Sequence, residues 1–360
     1  MLYIYYDIAI RRGKIMRRCM MCKSIVVNYY GICSTCKQLN KDMADIHINL
    51  EGYTALVTGA RIKIGYATCL RLLRDGANVI GITRFPYDAI RRYTEEPDYE
   101  DFKERLFIYG FDLRRVDLIG ELANFLYEHF KSIDIIINNA AQTIKKSRKY
   151  YEELTEIEAK AKVLLHGEVL KCLASSQETY NEQSWLSVNP KYEVSKYEES
   201  PNYNSWVSKV EELSVEEMLE VQLINVTAPM LLISRLKELM KKSPHKNRFI
   251  INVSSVEGRF NRKIKLARHV HTNMAKASLN MMTHSLSLDY SKDDIYMYNV
   301  DPGWVSNQFP EDYEVSKNFV PYLSLQDGAT RLTHPIYTFL NEDKIKSIGT
   351  FYKDFKPITY

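Results

Sequence analysis

The run Thr54–Gly65 (TALVTGARIKIG) limits the fold more than any other stretch of the chain. A strand-sized apolar segment, Thr54 to Thr58, leads directly into Gly59. Helical spacing then begins, with apolar residues at Ile64, Ala67, Leu70 and Leu73, and stops at Gly76. A strand, a glycine turn and a helix in that order bring backbone N–H groups to a helix N-terminus, where a pyrophosphate can approach. The glycines alone are a weak signal; their place between strand and helix gives them weight.

The same alternation continues. Strand patterns fall at Ala77–Thr83, Leu106–Tyr109, Ile133–Asn138, Phe249–Ser254, Ile295–Val300 and Gly349–Tyr352. Helical patterns fall at Tyr87–Arg105, Val116–Phe130, Val215–Met240 (with a kink at Pro229), Thr272–Ser291 and Gln326–Leu340. Alternating strands and helices imply an α/β fold, a doubly wound parallel sheet of Rossmann type. The 360 residues are 45% hydrophobic and 26% charged, enough to bury a sizeable core. Residues 145–213, rich in Tyr, Ser, Glu, Lys and Asn, interrupt the rhythm; only Glu152–Ser175 keeps helical spacing. So long an insertion in a compact domain reads as a lid, a binding loop or disorder.

Four of the six cysteines form two pairs, Cys19-x-x-Cys22 and Cys33-x-x-Cys36, separated by ten residues. Two such pairs complete a tetrahedral Cys₄ set for structural zinc, in a segment too small to hold a core by itself. A redox dithiol or buried thiols are the alternatives. Cys69 lies in a helical pattern and reads as core. Residues 1–46 hold 8 Lys/Arg against 3 Asp/Glu, whereas the other 314 hold 41 against 42. The basic arm suits a nucleic acid, an anionic membrane or an acidic protein, or is simply solvated. No apolar run reaches the roughly 18 residues of a membrane span, and the basic residues follow the apolar N-terminus, the reverse of a secretory signal. A soluble, cytoplasmic protein is expected. The domain reading is a basic Cys₄ segment over 1–46 and a Rossmann domain over 50–355 carrying the 145–213 insertion.

Several motifs, in order, resemble those of the short-chain dehydrogenase/reductase family. Thr58-Gly59 to Gly65 resembles its glycine-rich turn, and Asn138-Asn139-Ala140-Ala141 its NNAG segment. Asn225 lies in the helix that keeps an active-site Asn, Ser255 matches the catalytic Ser, and Asp301-Pro302-Gly303 matches the PG turn. The phrases TGARIKIGY, TRFP and HTNMAK resemble a divergent branch that also carries an N-terminal cysteine-pair segment. The chain departs from the family where Lys63 replaces the middle glycine and where Tyr-x-x-x-Lys becomes Thr272-x-x-x-Lys276.

The resemblance implies hydride transfer between a nicotinamide and a carbonyl or alcohol. It implies catalytic roles for Asn225, Ser255, Thr272 (in the Tyr position) and Lys276. It places the cofactor against Gly59, Arg61, Lys63, Ile64, Gly65, Arg84, Asp112, Leu113, Asn139, Ala140, Lys276, Pro302 and Gly303. After the second strand an NAD enzyme offers an acid to the ribose, whereas an arginine suits the 2′-phosphate of NADP. This chain offers Thr83-Arg84, and Arg61 and Lys63 add positive charge, so NADP(H) is expected. Asp112 could border the adenine or cap the next helix. Threonine is a far weaker acid than tyrosine, whose pKa starts at about 10, so the proton donor is altered. His271 is adjacent but reads as a solvated loop histidine.

Two readings stand. The first is an NADP(H)-dependent oxidoreductase with an altered proton donor, favoured by the retained Asn225, Ser255 and Lys276. The second is a non-catalytic NADP(H)-binding sensor or scaffold that offers the zinc segment and the insertion to protein partners. A homo-oligomer is compatible with either. Nucleic-acid binding is weaker, because no aromatic–basic interleaving marks a strand groove.

Overall fold

The computed structural model describes residues 8–11, 14–27, 31–145, 148–165, 173–175, 203–261, 265–306, 321–342 and 348–360. Cys172 and much of the expected insertion lie outside the described residues.

The N-terminal segment forms a small antiparallel sheet of β1 (Ile8–Arg11), β2 (Lys14–Arg18) and β3 (Ile25–Val27), then helix α1 (Ser34–Ala44). Next come β4 (Thr54–Thr58), α2 (Lys63–Arg74), β5 (Asn78–Thr83), α3 (Pro86–Thr94), β6 (Leu106–Gly110), α4 (Ile119–His129) and β7 (Ile135–Asn138). The expected helix over Tyr87–Arg105 is broken: α3 ends at Thr94, and Pro97, which cannot continue a helix, separates it from single turns at Tyr99–Phe102 and Lys103–Arg105. The insertion supplies α5 (Arg148–Leu164) and β8 (Leu173–Ser175).

Helix α6 (Val215–Gln222) passes through a π-helical turn, Leu223–Thr227, into α7 (Ala228–Lys241), where Pro229 sits in the first turn. This run is long and apolar enough to cross a membrane, but half of its apolar window is buried against the protein. Then follow β9 (Arg248–Val253), α8 (Val270–Ser291), β10 (Ile295–Asp301), α9 (Leu325–Glu342), β11 (Phe351–Lys353) and β12 (Lys356–Ile358).

The main sheet has nine strands in the order β12-β11-β10-β9-β7-β4-β5-β6-β8. All pairings are parallel except β11 with β12. Side chains alternate between faces along each strand. Ala55, Val57 and Val79 join the cluster under α2 and α9, whereas Leu56, Ile80 and Ile82 join the one under α4 and α7. From β4 the chain winds outward through β5 and β6, then returns and winds the other way from β7 through β9 and β10. That reversal opens a crevice at the carboxyl ends of β4 and β7, where sheets of this kind bind ligands.

Candidate active site

The turn after β4 is built for close backbone approach. A Cβ on Gly65 would lie 2.2 Å from the Gly59 carbonyl oxygen and 2.5 Å from Asn139 Nδ2, so no other residue fits. Lys63, standing where the resemblance expects glycine, adopts φ +56°, the left-handed region that glycine enters at no cost. The Asn139 amide donates to the Thr58 carbonyl at 3.0 Å, and the Thr58 hydroxyl accepts the N–H groups of Asn139 and Ala140 at 3.0 Å each. The β4 turn and the end of β7 are thereby locked together beside the helix N-terminus.

A cavity of about 370 Å³ opens there. It is lined by Gly59, Arg61, Lys63, Ile64, Gly65, Arg84, Asp112, Leu113, Asn139 and Ala140, and also by Tyr150, Tyr151 and Leu154 of α5. Pro302, Gly303 and Lys276 do not line it. A larger cavity, about 670 Å³, lies at the opposite ends of the strands, bordered by Thr54, Asn78 and Leu106, away from this chemistry.

The three expected cations do not all face the cleft freely. Arg61 donates to Asp88 at 2.7 Å, and both side chains are buried. Asp88 also pairs with Arg91 and Arg92; burial opposes its charge, but the three guanidiniums hold its carboxyl below the ordinary range. Arg84 stands 5.2 Å from the Tyr151 ring and 5.7 Å from that of Phe85, and no carboxylate pairs with it among the described residues. Asp112 caps no helix. Its carboxylate takes a two-nitrogen grip from Arg114, at 2.9 and 2.6 Å; burial opposes the charge, but this pairing keeps its pKa low.

The residues expected to be catalytic fall in and around α8. Lys276 is buried and donates to the Val253 carbonyl at 2.7 Å. Burial lowers its ammonium to about 8, with Asp301 pulling the other way. Thr272 lies one turn earlier on the same helix face; its hydroxyl is buried and has no hydrogen-bond partner among the described residues. Ser255 caps the turn Val256–Gly258 by accepting the Glu257 N–H at 3.2 Å. Asn225 lies in the π turn and clasps the Gln142 backbone, accepting its N–H at 2.8 Å and donating to its carbonyl at 2.9 Å.

His271 is not a solvated loop residue. It lies inside α8, is 3% exposed, and has both ring nitrogens without hydrogen-bond partners among the described residues. Burial, helped by His269, lowers its pKa to about 4. Glu217 of α6, fully buried, approaches to 3.9 Å and accepts the Tyr203 hydroxyl at 2.7 Å.

Sequence reasoning missed several supports. Trp206, from the end of the insertion, stacks on His269 at 4.2 Å, and its carbonyl meets His269 Nδ1 at 2.9 Å. His269 holds φ +38°, an unusual backbone for a non-glycine residue, at the entrance to α8. A Cβ on Gly258 would lie 2.5 Å from the Lys276 backbone, so a glycine here lets the Ser255 loop press against α8. Asp301 accepts N–H groups from Val256 and Gly303 at 2.8 Å each, tying that loop to the PG turn. Only Gly258 carried a visible signal, as a glycine five residues after the fifth strand.

The four cysteine sulfurs lie within 4.8 Å of one another, and Cys22 and Cys33 are 3.7 Å apart. A tetrahedral zinc with bonds of about 2.3 Å needs sulfurs about 3.8 Å apart. The Ser24 hydroxyl lowers the Cys22 thiol to about 6, whereas burial raises Cys36. Cys19 and Cys36 pack with Ile32 and Leu323. Cys69 is core, its thiol pushed up to about 12 by burial.

A family model for short chain dehydrogenases matches residues 53–184, and a second, for enoyl-(acyl carrier protein) reductases, matches 202–326. The chain belongs to the short-chain dehydrogenase/reductase family. Within this family it is 32% identical over 350 residues to the "Uncharacterized protein R665" of Acanthamoeba polyphaga mimivirus, covering 89% of this chain and 72% of that one. It is also 35% identical over 95 residues to the 3-oxoacyl-[acyl-carrier-protein] reductase FabG of Buchnera aphidicola, covering 26% and 36%. In fold, this short-chain dehydrogenase/reductase is similar to an NADPH-bound carbonyl reductase from chicken fatty liver (TM-score 0.53, 17% identity, 86% and 100% covered). A blue fluorescent protein from a metagenomic library, in complex with NADPH, is similar too (TM-score 0.55, 19% identity, 84% and 96% covered).

Proposed function

We propose that the chain is an NADP(H)-dependent oxidoreductase that moves a hydride between the nicotinamide and a carbonyl or alcohol, with a proton donor other than tyrosine. The observation that carries this is the cleft at the sheet's reversal. There Gly65 leaves backbone room that any Cβ would fill, and Arg84 lines the pocket. Structural neighbours that hold NADPH support the choice of cofactor. NADPH, when bound, supplies the hydride.

The chain's own residues orient the reactants and handle the proton. Gly59, Lys63, Ile64, Gly65, Asn139 and Ala140 offer the pyrophosphate and ribose a backbone-lined seat. Arg84 favours the 2′-phosphate, and Asp112 with Leu113 borders the base. Pro302 and Gly303 belong to the nicotinamide end. Ser255 orients the substrate oxygen, and Asn225 fixes Gln142 at the cleft wall. Lys276 is the proton source: an ammonium titrating near 8 is matched to proton transfer at neutral pH. Thr272, one turn away with a hydroxyl that has no partner among the described residues, relays that proton to the carbonyl oxygen.

Cys19, Cys22, Cys33 and Cys36 fit a structural zinc that folds residues 1–46 as a unit beside the 50–355 domain. A second reading, a nucleotide-binding sensor or scaffold, draws on the Trp206–His269 stack that covers the entrance to α8. A panel of aldehydes, ketones and alcohols, assayed with NADPH and NADP⁺, separates the two. Turnover that falls in Lys276→Ala supports the enzyme. Tight NADPH binding with no turnover, and none gained in Thr272→Tyr, supports the sensor.

A further inference from the structure

Glu158 of α5 reaches across to the start of α3. Its carboxylate accepts the Tyr87 N–H at 2.9 Å and the Asp88 N–H at 2.7 Å. These are amide groups of the first turn of a nine-residue helix, where the helix dipole favours an anion. The helix begins two residues after Arg84, and Arg84 and Phe85 line the cleft. Tyr151 and Leu154, two turns and one turn before Glu158 on the same helix, line it as well, and Tyr151 lies against the Arg84 guanidinium. Arg61, the other arginine that lines the cleft, is held by Asp88, which it shares with Arg91 and Arg92. An anion brought to Arg84 therefore meets a built-in carboxylate on the neighbouring helix start.

We infer that Glu158 sets the selectivity between NADPH and NADH, because its carboxylate holds the anion seat at the start of α3 that the 2′-phosphate would take. This rests on the cofactor reading above. NADH brings no phosphate to that corner and leaves Glu158 in place. NADPH must displace or repel it, so part of the attraction from Arg84 is spent against α5. Burial favours this exchange, since it raises the pKa of Glu158 and weakens its hold as a charged group.

The test is calorimetric titration of the full chain and of Glu158→Gln with NADPH and, separately, NADH. Removing one negative charge near the phosphate should tighten NADPH about ten- to thirtyfold and leave NADH within about twofold. Equal shifts for both nucleotides, or none, overturn the inference while leaving the cofactor reading intact. Failure of the unmutated protein to bind either nucleotide overturns both. Should Glu158→Gln fail to fold, hydrogen exchange on the unmutated protein decides: saturating NADPH, unlike NADH, should speed exchange of the 148–164 amides, and equal protection contradicts the proposal.

Discussion

Arg61 and Asp88 form a buried ion pair at 2.7 Å beside the cleft that Arg61 lines. Of the two arginines that line the cleft, Arg61 is thereby tied to α3. The positive charge that Arg61 was expected to add to the glycine turn is thus engaged by Asp88.

Arg84→Ala should erase most of the preference for NADPH, since a charge-assisted hydrogen bond is worth about 1.5–3 kcal/mol. Affinity for NADH should hardly change. Arg61→Ala should instead lower thermal stability, because it strips one partner from a buried carboxylate. Parallel titrations and melting curves check both. A selectivity change in Arg61→Ala larger than in Arg84→Ala contradicts the assignment.

His271 gives the fold an acid-sensitive point. Its folded pKa, about 4, lies below the unfolded value of about 6.5, so the unfolded chain binds the proton more readily. The stability it contributes is complete above pH 6.5 and is lost as pH falls towards 4, by about 3 kcal/mol. Denaturant midpoints measured from pH 7 to 4 should show this slope, and His271→Phe should flatten it. An unchanged slope in the variant counts against the buried neutral imidazole.

Much of this was legible in the chain, and what was not has a common cause. The Thr54–Gly65 turn, the order of the strands and the Cys pairs depend on neighbours close in sequence, which periodicity and spacing report. Glu158 with Tyr87 and Asp88, and Trp206 with His269, are separated by about 60 to 70 residues, and nothing local marks them. The π turn at Asn225 hides inside an apolar helical pattern, because one extra residue in a turn barely disturbs a period of 3.6. Strands β8 and β12 have three residues each, too few for alternation to show.

Lys276 as proton source makes a signed prediction for turnover. Carbonyl reduction needs the ammonium, so its rate should be level below pH 8 and fall above it. Alcohol oxidation needs the free amine and should rise across the same range. Thr272→Tyr, which restores a stronger acid beside Lys276, should raise reduction by up to about 10²–10⁴ where the pocket admits the ring. Profiles without an inflection near pH 8 would falsify the role of Lys276.

The cysteine cluster should hold one zinc per chain. Elemental analysis of reduced protein checks this, and Cys22→Ser or Cys36→Ser should lose the metal. Because Cys19 and Cys36 pack with Leu323, just before α9, chelation should also lower the melting temperature of the whole chain. Full stability in metal-free protein argues against a structural role.

The exposed residues Met274, Met281 and Leu288 recur every seven positions along α8, and each is more than half exposed. An apolar stripe at heptad spacing suits a second copy of the chain. Sedimentation should show a dimer that Met281→Lys shifts towards monomer, and a monomer in the unmutated protein rules this out.

The central claim is hydride transfer from NADPH held in the cleft at the β4–β7 reversal. Its most direct test uses NADPH deuterated at C4 on each face in turn, incubated with the full chain and a carbonyl panel, with products read by mass spectrometry. Deuterium should appear on the carbinol carbon with one labelled face and not the other, and Lys276→Ala should abolish it. Label that stays on a tightly bound nucleotide, with every carbonyl unchanged, would contradict the account.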